Sequence, residues 1–90
     1  MKKTTVKFVI IDFIHRRLQY NNNEISTHHF EVDIPQWGIK YWDVRHNPST
    51  YSRAWRKLKG SDELSIIDIK EVKIKDTKSR ERTWILITDT

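Results

Sequence analysis

The sequence predicts a single α+β domain in which helices come first and a β-hairpin closes the chain. Three observations carry this. Residues 4–20 place Val6, Val9, Ile10, Phe13, Ile14 and Leu18 at the spacing of one helix face. Residues 48–59 repeat that spacing with Tyr51, Ala54, Trp55 and Leu58. Residues 64–88 hold two β-branched runs separated by a polar, basic stretch at 75–82. Ninety residues suit one domain with one modest core, to which four Trp, three Tyr and three Phe add large areas.

The first helix is expected over 4–20. Its stripe persists for about four turns of 3.6 residues. Phe8 and Ile11 fall outside the stripe, and the β-branched content leaves a strand over 5–11 as the alternative. Lys7, Arg16 and Arg17 belong to the exposed side of the helix. Asn21-Asn22-Asn23 reads as a loop. Over 28–34, Phe30, Val32 and Ile34 alternate with His29, Glu31 and Asp33, which predicts a strand that Pro35 ends. A second helix over 36–46 carries Trp37, Tyr41 and Val44, with Gly38 as a weak point. Trp37 and Trp42 compete for burial on so short a helix, so one of them is expected at a partner surface.

The third helix, 48–59, has the clearest boundaries. Asn47 suits the N-cap and Pro48 the first helical position, where its missing N–H costs nothing. Gly60 is placed to end the helix in the left-handed conformation. The hairpin over 64–88 opens with Ile66, Ile67, Ile69, Val72 and Ile74. The parity switch between Ile69 and Val72 predicts a bulge. Thr83 to Thr88 returns with Trp84 and Leu86 on one face and Ile85 and Ile87 on the other.

The net charge is +5, and the cations are segregated. Residues 44–61 contain Arg45, Arg53, Arg56, Lys57 and Lys59 with no acidic residue. Residues 77–83 contain Lys78, Arg80 and Arg82 against Glu81, whereas 24–43 is acidic. Such segregation suits a surface for a polyanion, although charge clusters are also ordinary solvated faces. The chain has no cysteine, hence no disulfide and no Cys-based zinc site, in keeping with a cytoplasmic location. His28 and His29, as neighbours on a strand, point to opposite faces, which argues against a shared metal. Two glycines cannot build a phosphate-cradling loop, and no nucleophile motif is present. Neither an enzyme nor a cofactor is expected, and neither a signal peptide nor a membrane span.

On the third helix, Ser49, Arg53, Arg56 and Lys57 point away from the apolar stripe. A short helix anchored by aromatics and showing cations with small hydroxyls suits the major groove of DNA. The order helix, short strand, helix, helix, strand, basic loop, strand resembles the winged helix-turn-helix family over nearly the whole chain. Pro48-Ser49-Thr50-Tyr51-Ser52-Arg53-Ala54-Trp55-Arg56-Lys57-Leu58 looks like its recognition helix. The hairpin 66–88, with its tip at 76–82, looks like its wing.

The resemblance implies binding of double-stranded DNA, with the third helix in the major groove and the wing on the backbone or in an adjacent minor groove. The expected DNA-binding residues are Ser49, Thr50, Arg53, Arg56, Lys57, Lys59, Lys78, Arg80 and Arg82. Arg53 and Arg56 are the base readers. Lys57, Lys59, Lys78, Arg80 and Arg82 serve phosphates, with Arg45 a weaker candidate. Ser49 and Thr50 add phosphate contacts near the helix N-terminus. Arg80 or Arg82 suits a narrow minor groove. The expected role is a sequence-specific transcriptional regulator or a replication or recombination accessory factor. A homodimer would pair two half-sites through the first helix or an exposed tryptophan. The alternative is a protein-interaction winged helix, such as a phage-like inhibitor of a host nucleic-acid enzyme, working through the acidic stretch and Trp37 or Trp42. RNA binding through the same helix and hairpin is a third reading.

Overall fold

The structure, a computed structural model, describes residues 5–76 and 82–88. Helix α1 spans Val6–Gln19. Thr5 caps it by accepting the Phe8 amide on its hydroxyl at 3.2 Å, which satisfies one of the amides that a helix start leaves open. Arg16 and Arg17 occupy the last turn, where the carbonyl ends favour cations. Asn21, at φ 62°, closes the helix in the left-handed region. Val9, Ile10, Phe13 and Ile14 are buried, so the helical stripe holds. Arg17 is not free on the surface. Its guanidinium donates twice to the Glu24 carbonyl, at 3.2 and 2.8 Å, and ties α1 to the next strand.

That strand, β1, is Glu24–Ser26. The expected strand over 28–34 is helical instead. A wide π turn covers His29–Asp33 and runs directly into α2, Ile34–Trp42. Three alternating apolar residues fit either period. Phe30 and Ile34 are buried four residues apart on one helix face, and Val32 points outward. The start is fixed by His29, whose Nδ1 accepts the Ser26 amide at 2.9 Å, a reach back from the first turn like that of a capping box. Pro35 does not end an element. It lies inside the helical run immediately after the widened turn, where the Ile34 amide bonds the His29 carbonyl five residues back. The helix expected over 36–46 stops at Trp42, because Asp43 turns left-handed at φ 52° and sends its amide to the Gly38 carbonyl.

Helix α3 spans Pro48–Lys59, the expected range. Its caps differ in detail. The Asn47 side chain makes no capping bond, and Gly60 sits at φ −96°, outside the left-handed region. A single-turn-rich 3₁₀ helix over Asp62–Ile67 follows, started by Ser61 and ended by left-handed Asp68 at φ 64°. It takes residues that were expected in the hairpin, so β2 starts only at Ile69 and runs to Asp76. Strand β3 is Thr83–Thr88. The predicted irregularity is present as a register shift between Ile69 and Glu71.

The three strands form an antiparallel sheet in the order β1-β3-β2. Ile25 faces Trp84 across β1–β3, and Val72 faces Leu86 across β2–β3. On β2, Lys70, Glu71, Lys73 and Lys75 are exposed. The core lies between this sheet and helices α1 and α3. Its centre is aromatic: Phe30 stacks on Trp55 at 5.0 Å, and Trp84 meets both rings edge-on, at 6.0 and 5.7 Å.

Two contacts explain the second helix. A Cβ on Gly38 would lie 2.6 Å from the Tyr51 hydroxyl and 3.4 Å from Val9. Glycine is therefore what lets α2 approach α3. Asp12 of α1 accepts the indole N–H of both Trp37, at 2.8 Å, and Trp42, at 2.9 Å. Trp37 is half-buried and Trp42 is 37 % exposed, resting edge-on against Phe8 at 4.6 Å.

The Tyr51 hydroxyl is fully buried with no hydrogen-bond partner, and burial pushes its pKa above the ordinary 10.0. A raised folded value means that stability is complete below pH 10 and is lost as pH rises from there through the folded value. Tyr51→Phe should match or exceed the parent melting temperature at pH 7 and lose less of it above pH 10. Lys59, whose pKa is lowered, shifts stability in the opposite direction, and does so as pH approaches its ordinary 10.5 from below. Thermal melts of parent and variant at pH 7 to 11 therefore isolate the phenol; parallel curves would remove Tyr51 from the alkaline transition.

Candidate functional site

The amphipathic pattern of α3 decides which side chains reach solvent. Tyr51, Trp55 and Leu58 are buried, so the opposite face must carry the charges. Ser49, Arg53, Arg56 and Lys57 are exposed there, as expected. Arg53 sits between two grooves. On one side, Arg53, Lys57 and Thr50 border a groove against Thr5, Val6 and Lys7 at the start of α1. On the other, Arg56 and Lys59 border a cleft against the start of β3, where Arg82 lies.

Arg82 is positioned by its backbone. Its amide donates to the Thr27 hydroxyl at 3.1 Å, and its carbonyl accepts the Thr27 amide at 2.9 Å. These bonds extend the β1–β3 pairing by one step. Arg82 thus lies where the connecting loop enters β3, at the turn end of the hairpin, pinned to β1 and on the side of α3. Lys78 and Arg80, assigned to the tip, lie outside the described residues.

Two assigned residues are less open than the sequence suggests. Thr50 is half-buried, and its amide is already bonded to the Asn47 carbonyl at 3.0 Å. Lys59 is also half-buried, with its ammonium 4.9 Å from the centre of the Trp84 ring. Its pKa is lowered, first by burial and then by the charges of Arg82 and Arg56. All three cations line the cleft between α3 and β3.

Among the described residues, no acidic side chain lines either groove. Ion pairs among the described residues join Lys7 to Glu63 at 3.2 Å, Lys75 to Glu24 at 2.7 Å and His29 to Asp33 at 3.8 Å. None involves Arg53, Arg56, Lys57, Lys59 or Arg82. Arg45 is exposed in the loop before α3.

The cleft between α3 and β3 has a volume of about 300 Å³. Ser52 and Thr27 contribute hydroxyls to it, and Trp55 and Trp84 form part of its wall. Both indole N–H groups are buried and unpartnered. The sequence marks these tryptophans as core, which they are, but gives no sign that their N–H groups lack acceptors. The arrangement offers cations and N–H donors and no acidic side chain, so its chemistry is that of oxyanion binding.

No protein-family model matches this chain, and no curated protein or solved structure matches it either. No helix among the described residues is long and apolar enough to cross a membrane.

Proposed function

We propose that this chain is a winged helix-turn-helix protein that binds double-stranded DNA in a sequence-specific manner, as a regulator or as an accessory factor in DNA transactions. The observation that carries the reading is the continuous cationic surface from Lys57 and Arg53 through Arg56 and Lys59 to Arg82, on a helix fixed from behind by Tyr51, Trp55 and Leu58. The element order, with a sheet ordered β1-β3-β2, is compatible with the winged-helix architecture. In this reading α3 enters the major groove, Arg53 reads a guanine edge, and Arg56, Lys57, Lys59 and Arg82 neutralise phosphates. A pair of chains on two half-sites would extend a short contact.

Fluorescence anisotropy with random duplex, followed by selection of a preferred site, tests this. With four cations on phosphates, the log–log salt slope should approach about −3.6. Arg53→Ala should weaken binding to the selected site about 5- to 150-fold, the loss of one bidentate base contact, and weaken random duplex much less. Absence of salt-sensitive duplex binding at low salt overturns the proposal. Equal loss on all sequences removes Arg53 from base reading.

A second reading, a protein-binding module, draws on the exposed Phe8, Ile39, Tyr41 and Trp42 of α1 and α2. Trp42→Ala should then abolish partner capture and leave duplex binding unchanged.

A further inference from the structure

We infer that the cleft between α3 and the start of β3 is a binding site for a phosphoryl oxyanion, held by Arg56, Lys59 and Arg82 and received by the indole N–H groups of Trp55 and Trp84. If the DNA-binding reading holds, its natural occupant is a backbone phosphate. The site itself does not depend on that reading, since inorganic phosphate presents the same oxygens.

Three independent observations converge here. The first is charge: three cations border one small cleft with no carboxylate among its described lining residues. Gathering like charges around partly buried space is unfavourable unless an anion offsets them. The Lys59 pKa is lowered first by burial and then by the charges of Arg82 and Arg56, in keeping with that crowding.

The second is hydrogen bonding. The chain has four indole N–H groups. Those of Trp37 and Trp42 are satisfied by Asp12. Those of Trp55 and Trp84 are buried and have no acceptor, on two residues that line the cleft. An indole N–H can only donate, and buried donors are nearly always paired. An oxyanion supplies the missing acceptors.

The third is placement. Lys59 lies over the Trp84 ring, and the Arg82 backbone is pinned to Thr27, so the cleft is walled by the helix on one side and by a fixed sheet edge on the other. Ser52 adds a hydroxyl to the same wall. Arg56 and Arg82 thus reach one cleft from two separate elements, and a tetrahedral anion can engage both.

The tryptophans themselves provide the readout. In ¹⁵N-correlated spectra of the full chain, inorganic phosphate at constant ionic strength should shift the Trp55 and Trp84 indole signals saturably. The Trp37 and Trp42 signals, held by Asp12, serve as internal controls and should stay in place. Lys59→Met keeps much of the packing on Trp84 and should weaken phosphate binding at least about tenfold; Arg82→Gln tests the other wall without touching the core. Retention of the Trp37 and Trp42 signals in each variant shows that it is folded.

No shift, equal shifts of all four signals, the same shifts with chloride, or full phosphate binding in both variants would overturn the site. Addition of duplex then separates the sources. Duplex that moves the same two signals identifies the occupant as a backbone phosphate. Phosphate binding without any duplex binding keeps the site and refutes the DNA reading. Duplex binding with no response to phosphate or duplex at Trp55 and Trp84 keeps the DNA reading and refutes the site.

Discussion

Trp55→Ala should lower the melting temperature by at least about 12 °C. Trp55 is 1 % exposed and stands between Phe30 and Trp84 in the aromatic centre. Truncating a buried tryptophan costs about 3–5 kcal/mol through lost transfer energy and an unfilled cavity. A domain of this length has about 5–13 kcal/mol in all. Each kcal/mol is about 4–8 °C for a domain of 60–100 residues. Trp55→Phe should recover part of the loss, since it keeps a ring against Phe30 and discards an unpartnered N–H. Trp42→Ala, on the exposed side of α2, should cost far less. Circular dichroism melts of the three variants decide the matter; a drop under about 5 °C for Trp55→Ala would show that the core is organised elsewhere.

Gly38→Ala is the second large effect, and its sign opposes helix propensity. In an open helix that change gains up to about 1 kcal/mol. Here the new methyl would meet the Tyr51 hydroxyl at 2.6 Å, with the Val44 carbonyl at 3.3 Å behind it. Tyr51 is fully buried and has little room to retreat. Overpacking of this kind costs about 1–3 kcal/mol. A lower melting temperature is therefore expected for the single variant. Tyr51→Phe removes the clashing oxygen, so Gly38→Ala in that background should be close to neutral or stabilising. Equal losses in both backgrounds would locate the clash at the Val44 carbonyl instead.

The third helix was legible because several local signals agree on it. Asn47-Pro48 marks the start, Gly60 the end, and Tyr51, Trp55 and Leu58 the buried side. The sign of its outer face follows from the same wheel. Residues 28–34 were misread because Phe30, Val32 and Ile34 fit a period of two, and the deciding contact, His29 to the Ser26 amide, leaves no trace in hydropathy. Gly38 looked like a helix defect because its use depends on Tyr51, thirteen positions further on. Arg17 was assigned to solvent because its acceptor is a main-chain oxygen. Asp12 likewise satisfies two indoles that looked like competitors for one interior place. In the candidate site, the cations could be read from the chain, but the convergence of Arg82 with Arg56 and Lys59 depends on how Thr27 anchors the chain just before β3.

The outer strands also bear on how copies of the chain meet. β1 is only three residues long, and β2 carries Lys70, Glu71, Lys73 and Lys75 as exposed charged side chains. So short an edge on one side and so charged an edge on the other deter edge-wise stacking and fibril growth. Any symmetric assembly is thereby steered away from a continuous inter-chain ribbon and toward the helical side of the molecule.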